Sequence, residues 1–210
     1  MRCVIFGGGE MKNPAYIRQL IREDDFMIAA DRGYAHCRSM GIKPQLLLGD
    51  FDSYEGSIDE DCPVLTYPVE KDDTDTMLAI KVALEKGFKE LLLLGMCGGR
   101  LDHTIANIQS VVYAAKHGAS AAIVDEDVYI TAVCGGQELS VPYRAGFVLS
   151  VFAHTNVCKG VTLRNLYYPL EDGELRNTFP LGVSNHFLPN QDAQISLKEG
   201  IAVVICSREQ

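Results

Sequence analysis

LLLGDFDS, residues 46–53, carries three leucines to a glycine and then sets two aspartates around one phenylalanine. An apolar strand that ends in paired carboxylates speaks to the fold and to a site at once. In open parallel α/β sheets, ligands bind beyond the carboxyl ends of the strands. The neighbouring runs repeat the pattern. CVIF (3–6), FMIAA (26–30), QLLLG (45–49), VLTYPV (64–69), ELLLLG (90–95) and SAAIV (120–124) are apolar on both faces, as buried parallel strands are. Helical patterns lie between several of them. Thr74 to Lys86 sets Met77, Ile80 and Leu84 on one face and meets Gly87; Thr104 to His117 sets Ile105, Ile108 and Val112 on one face and meets Gly118. Such alternation predicts an α/β domain, a parallel sheet with helices on both faces.

From about residue 130 the helical pattern is lost. FVLSVFAH, VTLRNLYYPL, AQISL and IAVVICS are short β-rich runs, separated by the turn signals CGGQ, EDGE, LPNQD and KEG. This half reads as a small antiparallel all-β sandwich or barrel. The expected domains are residues 1–128 and 129–210.

Composition narrows the function. The chain has 210 residues, 47% hydrophobic and 22% charged, enough for a sizeable core. Its net charge of -9, with no dense Lys/Arg cluster, argues against nucleic-acid and anionic-membrane partners. MRCVIFGGGE is broken by glycine too early for a signal peptide, and no apolar run approaches the roughly 20 residues of a membrane span. Seven cysteines, none spaced as CxxC, read as reduced core thiols of a cytoplasmic protein.

The charged residues gather after the strands. Asp31 and Arg32 follow FMIAA, Asp50 and Asp52 follow QLLLG, Glu70 to Asp75 follow VLTYPV, and Arg100, Asp102 and His103 follow ELLLLG. A lone aspartate there is ordinarily a turn former or helix cap, and Asp31 or Asp73 fits that role. Asp50 and Asp52 do not. Two residues apart on a strand they lie about 7 Å from each other, a repulsion of roughly 2 kcal/mol at an effective dielectric near 20. Asp75 and Asp102 on the same rim add to it. A cation removes it, and oxygen donors without thiolate company point to Mg²⁺, which grips substrate phosphates. Arg32, Lys71 and Arg100 supply positive charge on that rim, and arginine suits bidentate phosphate contacts. GGGE (7–10) reads first as a tight turn and only second as a source of phosphate-binding N–H groups. His103 reads as a rim hydrogen-bonding residue.

ADRGYAHCRSMGIKPQLLLGDFDS (30–53), EKDDTDTMLAI (70–80), GGRLDHTIANI (98–108) and GVSNHF (182–187) occur in an order and spacing that resembles the thiamine pyrophosphokinase family, bacterial type. The resemblance implies an N-terminal domain that binds ATP and Mg²⁺, a C-terminal β-sandwich, and a homodimer with thiamine in active sites shared between subunits. It implies Asp50, Asp52 and Asp75 as metal ligands. Asp31, Arg32, Lys71, Asp72, Thr74, Arg100 and His103 would serve the nucleotide, with Asp102 beside Arg100 in the phosphate site. Ser184 and Asn185 would serve thiamine. The chain has no Trp, so a ring stacked on thiamine would come from Phe or Tyr, with Phe187 nearest. A related pyrophosphokinase for another hydroxymethyl heterocycle, such as a pterin, is the alternative, and GVSNHF favours thiamine.

Overall fold

Strands buried on both faces must pair with parallel neighbours under flanking helices, and the computed structural model, which describes residues 1–49, 62–66 and 73–209, has this arrangement. The chain divides into two compact units, Met1–Glu126 and Asp127–Gln210. The first contains β1 (Cys3–Phe6), α1 (Pro14–Leu20), β2 (Phe26–Ala30), α2 (Gly33–Ser39), β3 (Leu46–Gly49), β4 (Val64–Thr66), α3 (Asp75–Glu85), β5 (Glu90–Leu94), α4 (Leu101–Lys116) and β6 (Ser120–Val124). Its strands pair in parallel in the order β6-β5-β1-β2-β3-β4. The chain moves outward from β1 to β4 and then returns to the other side of β1 as β5. The order reverses between β1 and β5, and such a switch point opens a crevice at the strand ends. Every residue of β1 and β3 is buried.

The two expected helices form, but each turns a different face inward. In α3 the buried residues are Leu78, Ala79, Ile80, Val82 and Ala83, while Met77 and Leu84 are only half-buried. α4 starts at Leu101, three residues before the expected Thr104, so Asp102 and His103 lie in its first turn. The Asp102 carboxylate accepts the His103 N–H at 3.0 Å, which helps start the helix there. α4 buries Asn107, Ser110, Val111, Val112, Ala114 and Ala115, leaving Ile105 exposed and Ile108 half-buried. The polar pair is tolerated inside because it is satisfied: Asn107 donates to the Met96 carbonyl at 2.8 Å and Ser110 to that of Ala106 at 2.9 Å.

The second unit contains β7 (Val128–Cys134), β8 (Glu138–Val141), β9 (Phe147–Ala153), β10 (Val157–Arg164), β11 (Leu170–Arg176), β12 (Asn185–His186), β13 (Ala193–Ser196) and β14 (Ile201–Arg208). They form two antiparallel sheets, β12-β9-β14-β7 and β11-β10-β13-β8. Alternate residues of both, among them Leu149, Val151, Val161, Leu163, Ile195, Ala202 and Val204, fill one core, as in a sandwich. EDGE is not a turn here. It lies inside β11, where Asp172 has φ 50° and the pairing with β10 shifts register, so turn-type residues mark a bulge. VTLRNLYYPL likewise spans two strands and the loop between them. The seven cysteines form no disulfide, and burial pushes the Cys3, Cys37 and Cys206 thiols up to about 12.

At the amino ends of β1 and β2, Arg2 grips Asp25. Nε donates to Oδ1 at 3.0 Å and Nη2 to Oδ2 at 2.6 Å, and Nη2 also reaches the Leu20 carbonyl at 2.7 Å. The side chains are 10% and 0% exposed, so the pair is buried and losing one member strands the other. We expect Asp25→Ala to cost about 3–5 kcal/mol in a urea titration. Burial pushes the Asp25 carboxyl up, but the Arg2 hydrogen bonds, the Arg22 N–H and the adjacent charges outweigh it and hold the carboxyl below its ordinary value. A depressed folded-state pKa stabilises above the unfolded value of about 3.9 and is lost as pH falls through the folded one. The stability gap between the wild type and Asp25→Asn should therefore narrow as pH drops below about 4.

Candidate active site

A cavity of about 700 Å³ opens at the switch point, within the first unit. That is within the roughly 300–1,000 Å³ of small-molecule sites. Its wall comes from the segments after β1, β2 and β5 and from the first turns of α3 and α4. Each segment has a local reason for its course.

After β2 the chain reads Asp31, Arg32, Gly33. Asp31 takes a left-handed φ of 46°, donates its N–H to the Leu48 carbonyl at 2.8 Å and accepts the Tyr34 N–H at 3.1 Å. A Cβ on Gly33 would stand 2.0 Å from the Phe6 carbonyl oxygen, so only glycine lets α2 begin against the end of β1. After β1, the glycines of GGGE answer to close approach, not to the turn expected of them. None has a positive φ, and a Cβ on Gly9 would meet the Gly95 and Cys97 carbonyl oxygens at 2.6 and 2.7 Å. The N–H groups of Gly7 and Gly9 donate to Leu94 and Gly95 carbonyls, both at 2.8 Å, and so serve the loop rather than a phosphate.

Thr74 caps α3: its Oγ1 accepts the Met77 N–H at 3.2 Å. Asp73 is not the cap; it pairs with Lys81 at 2.6 Å. Asp75, in the first turn of α3, faces the cavity with Thr74 and Thr76. Opposite them the α4 entrance carries Arg100 and Asp102 in a two-point contact, Nε to Oδ1 at 3.1 Å and Nη2 to Oδ2 at 2.5 Å. Both are well exposed, at 74% and 62%. The Arg100 hydrogen bond holds the Asp102 carboxyl below the ordinary carboxylate range, so the pair stays ionised at neutral pH. The pair is a solvent-facing charge device rather than a stabilising bridge.

The cavity therefore brings together Asp31, Arg32, Thr74, Asp75, Arg100, Asp102 and His103. The expected site residues Asp50, Asp52, Lys71 and Asp72 lie outside the described residues. Gly49, which leads into Asp50, abuts Asp31: a Cβ on it would be 3.2 Å from the Asp31 Cα. Among the described residues no three His, Cys, Asp or Glu side chains gather as a metal site. Asn107 and Thr76 also line the cavity and were not anticipated from sequence. Periodicity gave no signal for Asn107, because the apolar stripe of Ile105, Ile108 and Val112 lies on the other side of α4.

The other three expected residues lie in the second unit. Ser184 is exposed with φ 57°, its N–H donating to Ser150 Oγ at 3.0 Å. Asn185 is 5% exposed, and its amide serves backbone: Oδ1 accepts from Tyr168 and His186 N–H at 2.9 and 3.0 Å, and Nδ2 donates to the Tyr168 carbonyl at 2.7 Å. Phe187 belongs to the sandwich core, edge-on to Tyr143 with ring centroids 6.0 Å apart. A ring packed there stabilises the sandwich.

The matches to known proteins follow the same division. The family model for the thiamin pyrophosphokinase catalytic domain matches residues 17–123, and that for the thiamin pyrophosphokinase vitamin B1 binding domain matches residues 137–202. The thiamine pyrophosphokinase of Bacillus subtilis (strain 168) is 28% identical over 192 residues, which cover 89% of each chain. The crystal structure of a Bacillus subtilis thiamine pyrophosphokinase superposes with a TM-score of 0.88 at 24% identity, covering all of both chains. That of the Geobacillus thermodenitrificans thiamin pyrophosphokinase gives 0.85 at 27%, covering 100% of this chain and 99% of that one. With a parallel-sheet unit matched by one model and a β-sandwich matched by the other, this chain belongs to the thiamin pyrophosphokinase family.

Proposed function

We propose that this protein transfers the diphosphate group of ATP to the hydroxyl of thiamine, giving thiamine diphosphate and AMP. The observation that carries the reading is the cavity at the β1/β5 switch point, of nucleotide size and inside the segment matched as the catalytic domain. The α/β unit, about residues 1–128, would take ATP, and the sandwich, about residues 129–210, would take thiamine and form the dimer. The pterin alternative finds no support, since both matched models describe thiamin pyrophosphokinase domains.

In this reading the thiamine hydroxyl oxygen attacks the β-phosphorus in line. A bond forms between them, the bond from the β-phosphorus to the α,β-bridging oxygen breaks, and AMP leaves with that electron pair. The hydroxyl proton passes to a rim carboxylate, Asp75 or Asp102. Arg100, with Lys71, offsets the charge that develops on the bridging oxygen. Asp31, Arg32, Thr74 and His103 orient the nucleotide, and positioning supplies most of the rate. The donor set suits Mg²⁺: Asp75 and Asp31 are oxygen donors lining the cavity, and Asp50 and Asp52 follow the Gly49 that abuts Asp31. Held by Asp50, Asp52 and Asp75, Mg²⁺ would neutralise phosphate charge. An acidic chain, net -9, also attracts a cationic acceptor.

We also propose a cytoplasmic homodimer with shared active sites. Thiols kept reduced suit that compartment. Among the described residues no helix is long and apolar enough to cross a membrane.

The product assay is direct. Purified protein with thiamine, ATP and Mg²⁺, followed by phosphorus NMR, should yield AMP and thiamine diphosphate in equal amounts. ADP with thiamine monophosphate would place the attack at the γ-phosphorus and overturn the proposal. Asp52→Asn should lower turnover at least about a hundredfold, the scale of losing one preorganised charge; a near-normal rate removes Asp52 from the site. Gly9→Ala should weaken ATP binding about tenfold or more by calorimetry, because the methyl has only backbone to push against.

A further inference from the structure

Beyond the end of β1 the chain has left its strand ladder, so each peptide group needs a partner of its own. The Gly9 N–H goes to Gly95, and the Gly9 carbonyl is met from another element: His36 Nε2 on α2 stands 2.8 Å from it. A carbonyl only accepts, so Nε2 carries the hydrogen, and a neutral His36 ring is held in that tautomer. The reach follows from the helix. α2 begins at Gly33, against the Phe6 carbonyl, and residues three apart in a helix are neighbours on its surface. His36 therefore stands beside the chain that leaves Phe6.

What this contact fixes is Gly8. Its neighbours Gly7 and Gly9 have committed amides, but the Gly8 N–H has no partner among the described residues. Gly8 is exposed and lines the cavity. A Cβ on Gly95 would stand 2.7 Å from the Gly7 carbonyl oxygen, so that carbonyl faces the β5 exit. In a trans peptide the N–H points opposite to the C=O, so the Gly8 N–H is turned away from β5. Gly8 also abuts Arg32: a Cβ on it would be 2.7 Å from the Arg32 Cβ. Arg32 is exposed, lines the same cavity and has no acceptor among the described residues. A free backbone N–H next to an unpaired guanidinium is a seat for an anion.

We infer that His36 is a positioning residue: by holding the Gly9 carbonyl it keeps the Gly8 N–H at the cavity beside Arg32, and these two groups grip an anionic oxygen of the triphosphate. This rests on the ATP reading above. His36 is not among the lining residues, so it acts through the loop. Without the imidazole the Gly9 carbonyl turns to water, and three glycines in a row hold a course poorly by themselves.

The test uses the full-length protein, with KM for ATP and for thiamine and with inhibition by inorganic tripolyphosphate and by adenosine. Thermal melts check that each variant is folded. His36→Leu should raise the ATP KM about tenfold, the scale of one hydrogen bond, with a smaller change in kcat and the thiamine KM near its starting value. Tripolyphosphate should weaken by a similar factor and adenosine hardly at all. His36→Gln, whose amide nitrogen can take the place of Nε2, should recover most of the loss; His36→Asn, which is too short, should not. An ATP KM within about twofold of wild type in both His36→Leu and His36→Asn, equal losses for tripolyphosphate and adenosine, or a glutamine variant no better than the leucine one would each overturn the inference. If wild-type protein makes no thiamine diphosphate, the activity proposal fails by itself. Tripolyphosphate titrations of wild type and His36→Leu by calorimetry still decide this one, and a wild type that does not bind tripolyphosphate overturns it.

Discussion

Three backbone segments meet at the carboxyl end of β1 with no room for side chains between them. The start of α2 comes to the Phe6 carbonyl at Gly33, and the β1 and β5 exits cross at Gly9 and Gly95. These contacts let the segments after β1, β2 and β5 lie close enough to form one wall. A methyl group at Gly33 or Gly9 would push against carbonyl oxygens, which cannot rotate away as a side chain can. The switch-point crevice thus depends on where glycine is placed more than on any charged residue it displays.

The two arginine–aspartate pairs of the first unit show how burial changes the meaning of one contact. Arg2 and Asp25 sit at the amino ends of the strands, buried, with Arg2 Nε and Nη2 and both Asp25 carboxylate oxygens matched to side chain or backbone. There the pair locks the ends of β1 and β2, with the Phe26 N–H on the Arg2 carbonyl at 2.9 Å. Arg100 and Asp102 sit at the opposite, carboxyl end in solvent. Water screens them, so their attraction contributes little to stability, and an incoming phosphate can compete for the guanidinium. The unit is fastened at one end and left exchangeable at the other, as a site that must release product requires.

Much of this was legible in the sequence, and the failures share a cause. Runs such as CVIF and QLLLG announce strands because burial on both faces demands apolar residues at every position. The carboxylates that follow them suggest a rim because so many at one sheet edge repel one another, although Asp73 and Asp102 also serve the local structure there. The helix faces were misread because apolar periodicity assumes that the inward face is the greasy one. In α4 the inward face is Asn107, Ser110, Ala114 and Ala115 with two valines, small or hydrogen-bonded residues that allow close packing, while Leu101 and Ile105 face out. EDGE was misread because the residues of a turn are also those of a bulge. Phe187 could not be placed from sequence because its packing against Tyr143 depends on a residue 44 positions away.

Asn107 and Asn185 extend that lesson to the sites themselves. Each is an asparagine buried in an apolar setting, at 9% and 5% exposure, and each is there because its amide replaces a missing backbone partner. Asn107 takes the Met96 carbonyl at the loop that lines the cavity, and Asn185 takes the backbone N–H and carbonyl of Tyr168 in the loop between β10 and β11. A loop beside a cavity cannot satisfy its own backbone through a sheet, and a ligand cannot be relied on to do so before it arrives. An amide that is itself fixed by packing removes the conflict: the loop stays ordered while its outer face stays open. In both units, therefore, the buried amide is turned toward the protein and fixes a backbone segment that no strand partner holds.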